Sequence, residues 1–378
     1  MVKENKRTLF KESKSLAQKI FKIVALLGLI YLFLVSVELL GESFEALGEG
    51  VARAFLETVS NPILGLFVGI FTTSIVQSSS MTTSLVVGLV AGGAFGTDPH
   101  TAIKLAIPII MGANIGTSVT GIIVSLGHIS RKDEFERAFS ASIVHDFFNL
   151  LAVATIMPLQ VGFNFLGRIA YAVEKFFEGA GGLEMSDPLG QIIDPLVNNI
   201  LSLLPNIEWV GIIIALVLLF ISLRYLVKTM RSLMLSKIEL FFDRYLFKNT
   251  FTALSLGILF TAIVQSSSIT TSLVIPLAGA GVLTVEQIYP YALGANVGST
   301  VTTLLAALAT GNPISVTIAI SHLFFNIVGI SIWLPLKNIP IAIARQFAKI
   351  TKKYPFFPFV YIIVTFFLLP IFLILIVR

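Results

Sequence analysis

Long apolar runs separated by short polar or basic segments account for most of the chain. Two runs, 58–97 and 249–285, contain no charged residue, and further apolar stretches cover 20–40 and 356–377. A helix of about 20 apolar residues is long enough to cross the hydrocarbon core of a bilayer, which is roughly 30 Å thick. The pattern therefore predicts an all-α polytopic membrane protein.

Each uncharged run has a cluster of hydroxyls and one glutamine near its centre. The first cluster is TSIVQSSSMTTSLV at 73–86 and the second is TAIVQSSSITTSLV at 261–274, with identity at 12 of 14 positions. A continuous helix would place all these polar groups at one depth. Irregular backbone is tolerated at that depth inside protein or beside a water-filled cavity. We therefore predict a re-entrant hairpin or a broken helix at each QSSS.

The similarity between the two halves continues beyond these clusters, in the same order. GANIGTSVT at 112–120 is answered by GANVGSTVT at 294–302. HDFFN, followed by MPL, within 145–159 is answered by HLFFN, followed by LPL, within 322–336. Apolar helices that resemble each other by chance would not keep polar residues in register, so the chain contains an internal duplication.

The duplication divides the chain into five parts. We expect a basic cytoplasmic tail with the first span, repeat 1, a connection that contains one span and interfacial helices, repeat 2, and a last span. Their limits are 1–60, 61–160, 161–249, 250–340 and 341–378.

The distribution of Lys and Arg predicts the orientation, because these residues are enriched in cytoplasmic segments. Segment 1–22 carries seven of them, 224–248 carries six and 337–353 carries five, whereas 38–60 and 160–208 are acidic. The N-terminus is then cytoplasmic, repeat 1 begins and ends outside, and repeat 2 begins and ends inside. Such inverted-topology repeats are typical of secondary transporters in the cell membrane.

The amino-acid composition excludes further classes of protein and of binding site. The chain is 56% hydrophobic and 12% charged, with a mean hydropathy of +0.92. The net charge of +5 is concentrated in blocks beside apolar segments, which argues against a nucleic-acid partner. The absence of cysteine excludes disulfides and Cys-based metal sites, and the four His lack zinc-site spacing. The basic stretches 224–248 and 337–353 are expected to be interfacial amphipathic helices.

The polar clusters indicate an anion site that also needs a cation. A broken helix exposes N–H groups and a positive dipole end, which suit an anion, while carbonyl and Gln oxygens suit Na⁺. Neither cluster region contains Lys or Arg, so the anion's charge must be offset by a co-bound ion such as sodium. The Gly-x-Asn-x-Gly motifs are expected to loosen a helix, with Thr117 or Ser299 capping its resumption. We place their asparagines, Asn114 and Asn296, at the anion site.

These motifs together resemble the type II sodium–phosphate cotransporter family. The resemblance rests on the two QSSS clusters, IIMGANIGTSVT, YPYALGANVGSTVT, VHDFFN and SHLFFNIVGISIWLPL, and covers about 62–160 and 250–340. It implies symport of inorganic phosphate with sodium into the cell, by alternating access, and no enzymatic activity. The binding partners would be phosphate, sodium and the lipid bilayer.

The resemblance also implies roles for individual residues. The phosphate-binding serines would be Ser78, Ser79, Ser80, Ser266, Ser267 and Ser268. The sodium-binding residues would be Gln77, Gln265, Thr117, Thr120, Ser299, Thr302, Asp146 and Asn149.

Asp146 has a particular implication in this family. The matching Asp marks members that bind an extra sodium ion, so we expect electrogenic transport of 3 Na⁺ with 1 HPO₄²⁻. The second repeat has Leu323 at this place, which makes the role asymmetric. His145 and His322 occupy equivalent positions, and we interpret both as structural rather than proton-coupling residues.

Two alternatives remain at this point. A symporter or channel for another oxyanion would fit the same clusters. An intramembrane Ser/His hydrolase is a different class, but it needs one catalytic set and a nucleophile elbow. No G-x-S-x-G is present and the Ser and His motifs are duplicated, so the hydrolase is the weaker alternative. The oligomeric state is left open.

Overall fold

The structure is a computed structural model that describes residues 2–46, 61–96, 98–179, 190–204, 208–245 and 249–377. Helices account for nearly all regular structure in these ranges, and no strand occurs in them. The predicted all-α class is therefore confirmed. The predicted limits of the five parts and the inverted orientation of the repeats stay predictions.

In the described ranges, the first half contains eight α-helices and a short 3-10 turn at Leu126–His128. The helices are α1 (Val2–Ala46), α2 (Pro62–Val76), α3 (Ser79–Ala91), α4 (Pro99–Gly116), α5 (Ser118–Ser125), α6 (Lys132–Phe163), α7 (Phe165–Gly179) and α8 (Gly190–Ser202).

In the described ranges, the second half begins like the first, with one long helix followed by two short ones. It comprises α9 (Glu208–Tyr245), α10 (Thr250–Val264), α11 (Ser267–Gly279), α12 (Val285–Ala309), α13 (Pro313–Trp333), α14 (Asn338–Lys353), α15 (Phe357–Ile362) and α16 (Leu369–Val377). A π-helical segment, Ile363–Leu368, joins α15 to α16.

Seven segments within the described ranges are long and apolar enough to cross a membrane, so the chain is a multi-pass membrane protein. The four helices that flank the QSSS clusters are apolar but shorter, with 13 or 15 residues each. The seven segments are Phe21–Ala46, Pro99–His128, Lys132–Phe163, Trp209–Thr229, Val285–Ala309, Pro313–Trp333 and Phe357–Ile376.

Glycines bring α2 onto α4 and α10 onto α12 at backbone contact. A Cβ on Gly112 would lie 2.0 Å from the Leu66 carbonyl oxygen, and one on Gly294 would lie 2.0 Å from that of Leu254. Gly69 stands equally close to α4, because its Cβ would be 2.0 Å from Ile109 O. Small residues allow such close crossings between membrane helices.

The two halves interleave rather than lie side by side. The short helix α3 of the first half contacts α12 and α13, while α11 of the second half contacts α5 and α6. The long helix α6 also contacts α12, α13 and α14. Each broken apolar segment is therefore held against helices of the opposite half.

The basic stretch 224–248 was expected to be an interfacial helix, and its described part is not a separate helix. Its position at the membrane interface stays a prediction. Residues 224–245 form the C-terminal part of α9, which runs without interruption from Glu208 to Tyr245. The sequence of this part contains no Gly or Pro to end the helix where its apolar stretch stops. Short helices do occur in the connection, but they are α7 and α8.

The stretch 337–353 forms α14, and its apolar face contacts protein. Ile341, Ala344 and Ala348 are buried, and the Phe347 ring lies 4.9 Å from the Phe147 ring of α6. This buried face orients α14 along α6. Its position at the membrane interface stays a prediction.

Candidate functional site

In the first repeat the helix ends immediately before the three serines. Gln77 adopts a left-handed conformation, with φ of 58°, and its N–H donates to Thr73 O at 2.7 Å. Ser78 is extended, and its hydroxyl accepts from the N–H of Met81 at 3.3 Å as the N-cap of α3. Gln77 therefore ends α2, and Ser78 caps the start of α3.

The second repeat builds the same turn from the same residues. Gln265 has a φ of 60° and donates its N–H to Thr261 O at 2.7 Å, while Ser266 caps α11. The hydroxyls of Thr261 and Thr270 are 2.7 Å apart, and the matching pair Thr73 and Thr82 is 2.9 Å apart. These threonine pairs tie the two arms of each broken segment together.

The two turns meet inside the molecule. Ser80 of the first motif donates to the carbonyl oxygen of Gln265, in the second motif, at 3.4 Å. One turn further along α3, the hydroxyl of Thr83 is 2.8 Å from that of Thr303 in α12. Four of the six predicted phosphate serines are buried, and Ser78 and Ser266 are half-buried as caps; the buried ones are Ser79, Ser80, Ser267 and Ser268.

Four of the predicted sodium residues form two matching pairs. The Thr120 hydroxyl donates to Gln77 Oε1 at 2.8 Å, and the Thr302 hydroxyl donates to Gln265 Oε1 at 2.5 Å. The amide nitrogen of Gln77 donates to the carbonyl oxygen of Ser74 at 2.6 Å. Each Gln side chain thus joins the broken segment to the helix after its own GAN motif.

A belt of asparagines and histidines crosses the interface between the halves. His145 Nε2 lies 2.7 Å from Asn296 Oδ1, and the Asn296 amide donates to Asn149 Oδ1 at 2.7 Å. Asn149 in turn donates to the Asn114 carbonyl oxygen at 2.8 Å. All four residues are buried, and Asn296 of the second repeat is bonded to both His145 and Asn149 of the first repeat.

The first two of these bonds have equivalents with the roles of the two repeats exchanged. His322 Nε2 lies 3.1 Å from Asn114 Oδ1, and the Asn114 amide donates to Asn326 Oδ1 at 2.9 Å. The Asn114 and Asn296 side chains therefore each contact a His and an Asn. This arrangement is consistent with the structural interpretation of His145 and His322, and it places the two amides in a polar network between the repeats.

The GAN motifs differ between the two repeats. The first motif is followed by a helix break, because α4 ends at Gly116 and α5 begins at Ser118, whereas the second motif is followed by none. Thr117 stands at the N-cap position of α5, but its hydroxyl makes no capping hydrogen bond and donates to Ala113 O at 3.0 Å. The Ser299 hydroxyl likewise donates back along its helix, to Asn296 O at 2.7 Å. The second motif lies within the continuous helix α12. Its glycines serve close helix crossing instead, because a Cβ on Gly298 would lie 2.5 Å from Ile258 O. The G-x-x-x-G spacing within each motif was the signal for this.

One position breaks the symmetry between the repeats. Thr303, which contacts Thr83, corresponds to Gly121 in the first repeat. Where the second hydroxyl pair would form, a small cavity is lined by Gly121, Thr271 and His145, together with Thr117 and Ser118. A cavity with polar lining residues therefore lies beside the predicted sodium residue Thr117, where the first repeat has Gly121 in place of a threonine.

Asp146 is a buried carboxylate on α6, beside the belt. Its Oδ2 accepts a hydrogen bond from the Tyr361 hydroxyl of the last span, and its Oδ1 has no hydrogen-bond partner in the described ranges. None of the ion pairs found there involves Asp146. Ionisable residues at membrane depth are costly and commonly mark ion pathways.

The sequence did not indicate several residues that the structure places at this site. Asn326 completes the belt, Thr83 and Thr303 join the repeats, and Tyr361 contacts Asp146. Asn326 could have been found, because it matches Asn149 in the duplicated HDFFN and HLFFN motifs. No local pattern marks Tyr361, which lies in an ordinary aromatic-rich span.

Comparison with known proteins finds one family and several relatives. A sequence model of the Na⁺/Pi-cotransporter family matches residues 32–177 and 218–347, so each matched segment contains one repeat. No solved structure matches the chain.

The similar curated proteins have related names. Sodium-dependent phosphate transport protein 2A of Rattus norvegicus is 34% identical over 442 residues, which cover 95% of this chain and 68% of the relative. Sodium-dependent phosphate transport protein 2B of Homo sapiens is 31% identical, with 94% of this chain and 65% of the relative covered. The chain thus spans about two thirds of the length of these relatives.

Proposed function

Since this chain belongs to the Na⁺/Pi-cotransporter family, we propose that it carries inorganic phosphate into the cell together with sodium ions, by alternating access. The membrane is the cell membrane, and the N-terminus is cytoplasmic. The observation that carries the proposal is the contact between two equivalent QSSS turns, one from each repeat, in a region without Lys or Arg.

Phosphate is held where the two short helices begin. The first N–H groups of α3 and α11 have no partner within their helices, and helix dipoles favour an anion at these ends. The serines at both helix starts add hydroxyl donors: Ser78, Ser79, Ser80, Ser266, Ser267 and Ser268. Asn114 and Asn296 lie in the belt between the repeats, and their amides extend this donor set.

Sodium binds to neutral oxygens and one carboxylate around the same turns. Hard cations prefer oxygen ligands, and the paired side chains Gln77–Thr120 and Gln265–Thr302 present them symmetrically. Further oxygens come from Thr117, Ser299, Asp146 and Asn149. In the absence of basic side chains, sodium supplies the positive charge that phosphate requires, which makes coupling a consequence of the site's composition.

The repeated geometry also accounts for alternating access. The two turns have the same backbone conformation and the same threonine pair, which supports an exchange of their roles between the two states. If the repeats are inverted across the membrane, one arrangement opens outside and its exchanged counterpart opens inside.

We assign Asp146 to a third sodium ion, with a stoichiometry of 3 Na⁺ to 1 HPO₄²⁻ and one net positive charge moved per cycle. The support is the buried Oδ1, which has no hydrogen-bond partner in the described ranges, together with the absence of an equivalent carboxylate in the second repeat.

The hydrolase alternative receives no support from the geometry. His145 contacts Asn296 and His322 contacts Asn114 and Thr303, so neither histidine's described hydrogen bonds include a serine. We accordingly propose a transporter without enzymatic activity.

Uptake of radiolabelled phosphate into proteoliposomes tests the function. We expect accumulation with an inward sodium gradient and none with an equal potassium gradient. Sodium-independent uptake would refute symport. Unlabelled phosphate should compete and sulfate should not, whereas competition by sulfate alone would assign the protein to another oxyanion.

A further inference from the structure

The last span places a tyrosine hydroxyl on the buried carboxylate of Asp146. Tyr361 of α15 donates a hydrogen bond to Asp146 Oδ2, although 215 positions separate them in sequence. Tyr361 lies outside both segments that match the family model, 32–177 and 218–347. The family match therefore leaves this contact without a role.

The other carboxylate oxygen of Asp146, Oδ1, shows what this contact could do. Asp146 Oδ1 is buried and has no hydrogen-bond partner within the described ranges, and the Ser118 hydroxyl is a neighbour of this carboxylate. No Lys or Arg forms an ion pair with it in the same ranges. A buried carboxylate in this state favours a bound cation, because desolvation without a partner charge is costly.

The tyrosine ring is fixed by aromatic contacts, so its hydroxyl has a fixed place. The ring centroid of Tyr361 lies 6.1 Å from that of Phe347, 6.2 Å from that of Phe357 and 6.0 Å from that of Phe366. Phe366 is fully buried. These rings come from α14, α15 and the π-helical segment, so three elements hold the hydroxyl against α6.

The backbone next to Tyr361 is also unusual. The π-helical segment Ile363–Leu368 begins two residues after the tyrosine. Such segments are rare and are found frequently at functional sites, because the wider helix costs stability. The second repeat carries Leu323 at the position that matches Asp146, so this carboxylate has no counterpart there.

We propose that Tyr361 is a positioning residue for a sodium ion at Asp146. By holding Oδ2, its hydroxyl fixes the carboxylate so that Oδ1 and the Ser118 hydroxyl are the oxygens left for the cation. The inference rests on the proposed function, since it requires sodium as the driving ion. It assigns to the last span a part in ion coupling in addition to anchoring.

The substitution Tyr361→Phe tests this role, because it removes the hydroxyl and keeps the ring among its aromatic neighbours. We expect the sodium concentration for half-maximal phosphate uptake to rise at least about tenfold, as for the loss of one hydrogen bond to a charged group. The KM for phosphate at saturating sodium should change less than about twofold, because the serines are untouched.

Tyr289→Phe is the matched control. It also removes a buried tyrosine hydroxyl, which donates to Trp333 O at 2.9 Å, far along the chain from the last span. We expect wild-type sodium dependence in this variant. An equal rise in both variants would mean that loss of any buried hydroxyl has this effect, and it would overturn the inference.

A second measurement does not depend on transport. Sodium should raise the Tm of the purified wild-type protein, and it should raise the Tm of Tyr361→Phe by less. The increase should be the same for Asp146→Asn as for the double variant of Asp146→Asn with Tyr361→Phe. A further loss in the double variant, or unchanged sodium dependence of Tyr361→Phe in uptake, refutes the inference. Wild-type protein without sodium-dependent uptake would instead refute the proposed function.

Discussion

At the scale of single residues, the two glutamines carry an uncommon conformation. Gln77 and Gln265 are both left-handed, although residues other than Gly seldom adopt positive φ. Both place the side-chain amide between the preceding helix and the helix after the GAN motif. A strained conformation that occurs identically in two repeats points to a function for the side chain.

Replacement of Gln265 by Ala and by Gly separates the backbone from the side chain. Glycine relieves the left-handed conformation, which costs roughly 1 kcal/mol for other residues. We therefore expect Gln265→Gly to have a higher Tm than Gln265→Ala, while both abolish phosphate uptake. If Gln265→Gly transported like the wild type, the side chain would have no part in sodium binding.

Asp146 gives a second prediction at this scale. Asp146→Gly removes the proposed third sodium ligand, so transport should become electroneutral and its current-to-phosphate ratio should fall to about zero. Simultaneous measurement of current and radiolabelled phosphate uptake checks this. A ratio equal to that of the wild type would exclude Asp146 from charge coupling.

The sequence pointed to some residues of the candidate site and gave no sign of others, for a physical reason. The duplicated motifs pointed to the serines, the glutamines and their threonine partners, because both copies keep these letters in register. The contact between Asp146 and Tyr361 could not be predicted in this way. It occurs once, and it depends on how the last span packs.

At the scale of helices, glycines determine how each broken segment crosses its neighbour. Gly112 and Gly294 lie at equivalent places, and neither can accept a Cβ without moving a carbonyl oxygen of the facing helix. The G-x-N-x-G motifs were expected to loosen their helices, and a helix break follows the first motif but not the second. The close packing of their glycines could not be predicted from a single sequence, because it depends on which helix faces them.

Gly294→Ala is expected to destabilise the protein by about 2 kcal/mol or more, because α10 and α12 must separate to admit the new carbon. The Tm in detergent should fall accordingly. Gly28→Ala in α1 is the control, since its Cβ would meet nothing within 4 Å and Ala is the better helix former. Equal Tm values for Gly294→Ala and the wild type would contradict the close crossing.

The helix at 208–245 shows the limit of the charge pattern. Clustered basic residues predict which side of the membrane a segment occupies, but they do not end a helix. Without Gly or Pro after the apolar stretch, α9 continues through the basic segment. Apolar length predicted the first and last spans, near 20–40 and 356–377, whereas the continuity of α9 was not predictable.

At the scale of the whole molecule, the account requires repeats of opposite orientation. The absence of cysteine allows a direct test, because a single introduced thiol has no background. An impermeant thiol reagent should label Thr310→Cys in intact cells. It should label Ser130→Cys only after the cells have been permeabilised. Labelling of both from the same side would contradict the inverted arrangement.

Because the two halves interleave, the proposed phosphate site is shared between the two repeats. Ser80 contacts Gln265, and the asparagine–histidine belt crosses the same interface. In the proposed site, each short helix supplies only part of the donors, so we expect that one repeat alone would not bind phosphate.

Sodium-dependent binding of radiolabelled phosphate to purified protein tests that claim most directly. Ser79→Ala and Ser267→Ala alter equivalent buried positions in the two repeats. The account predicts that each substitution alone weakens phosphate binding at least about tenfold, as expected for loss of a hydrogen bond to a charged ligand. Wild-type affinity in either variant would contradict a site shared between the two halves.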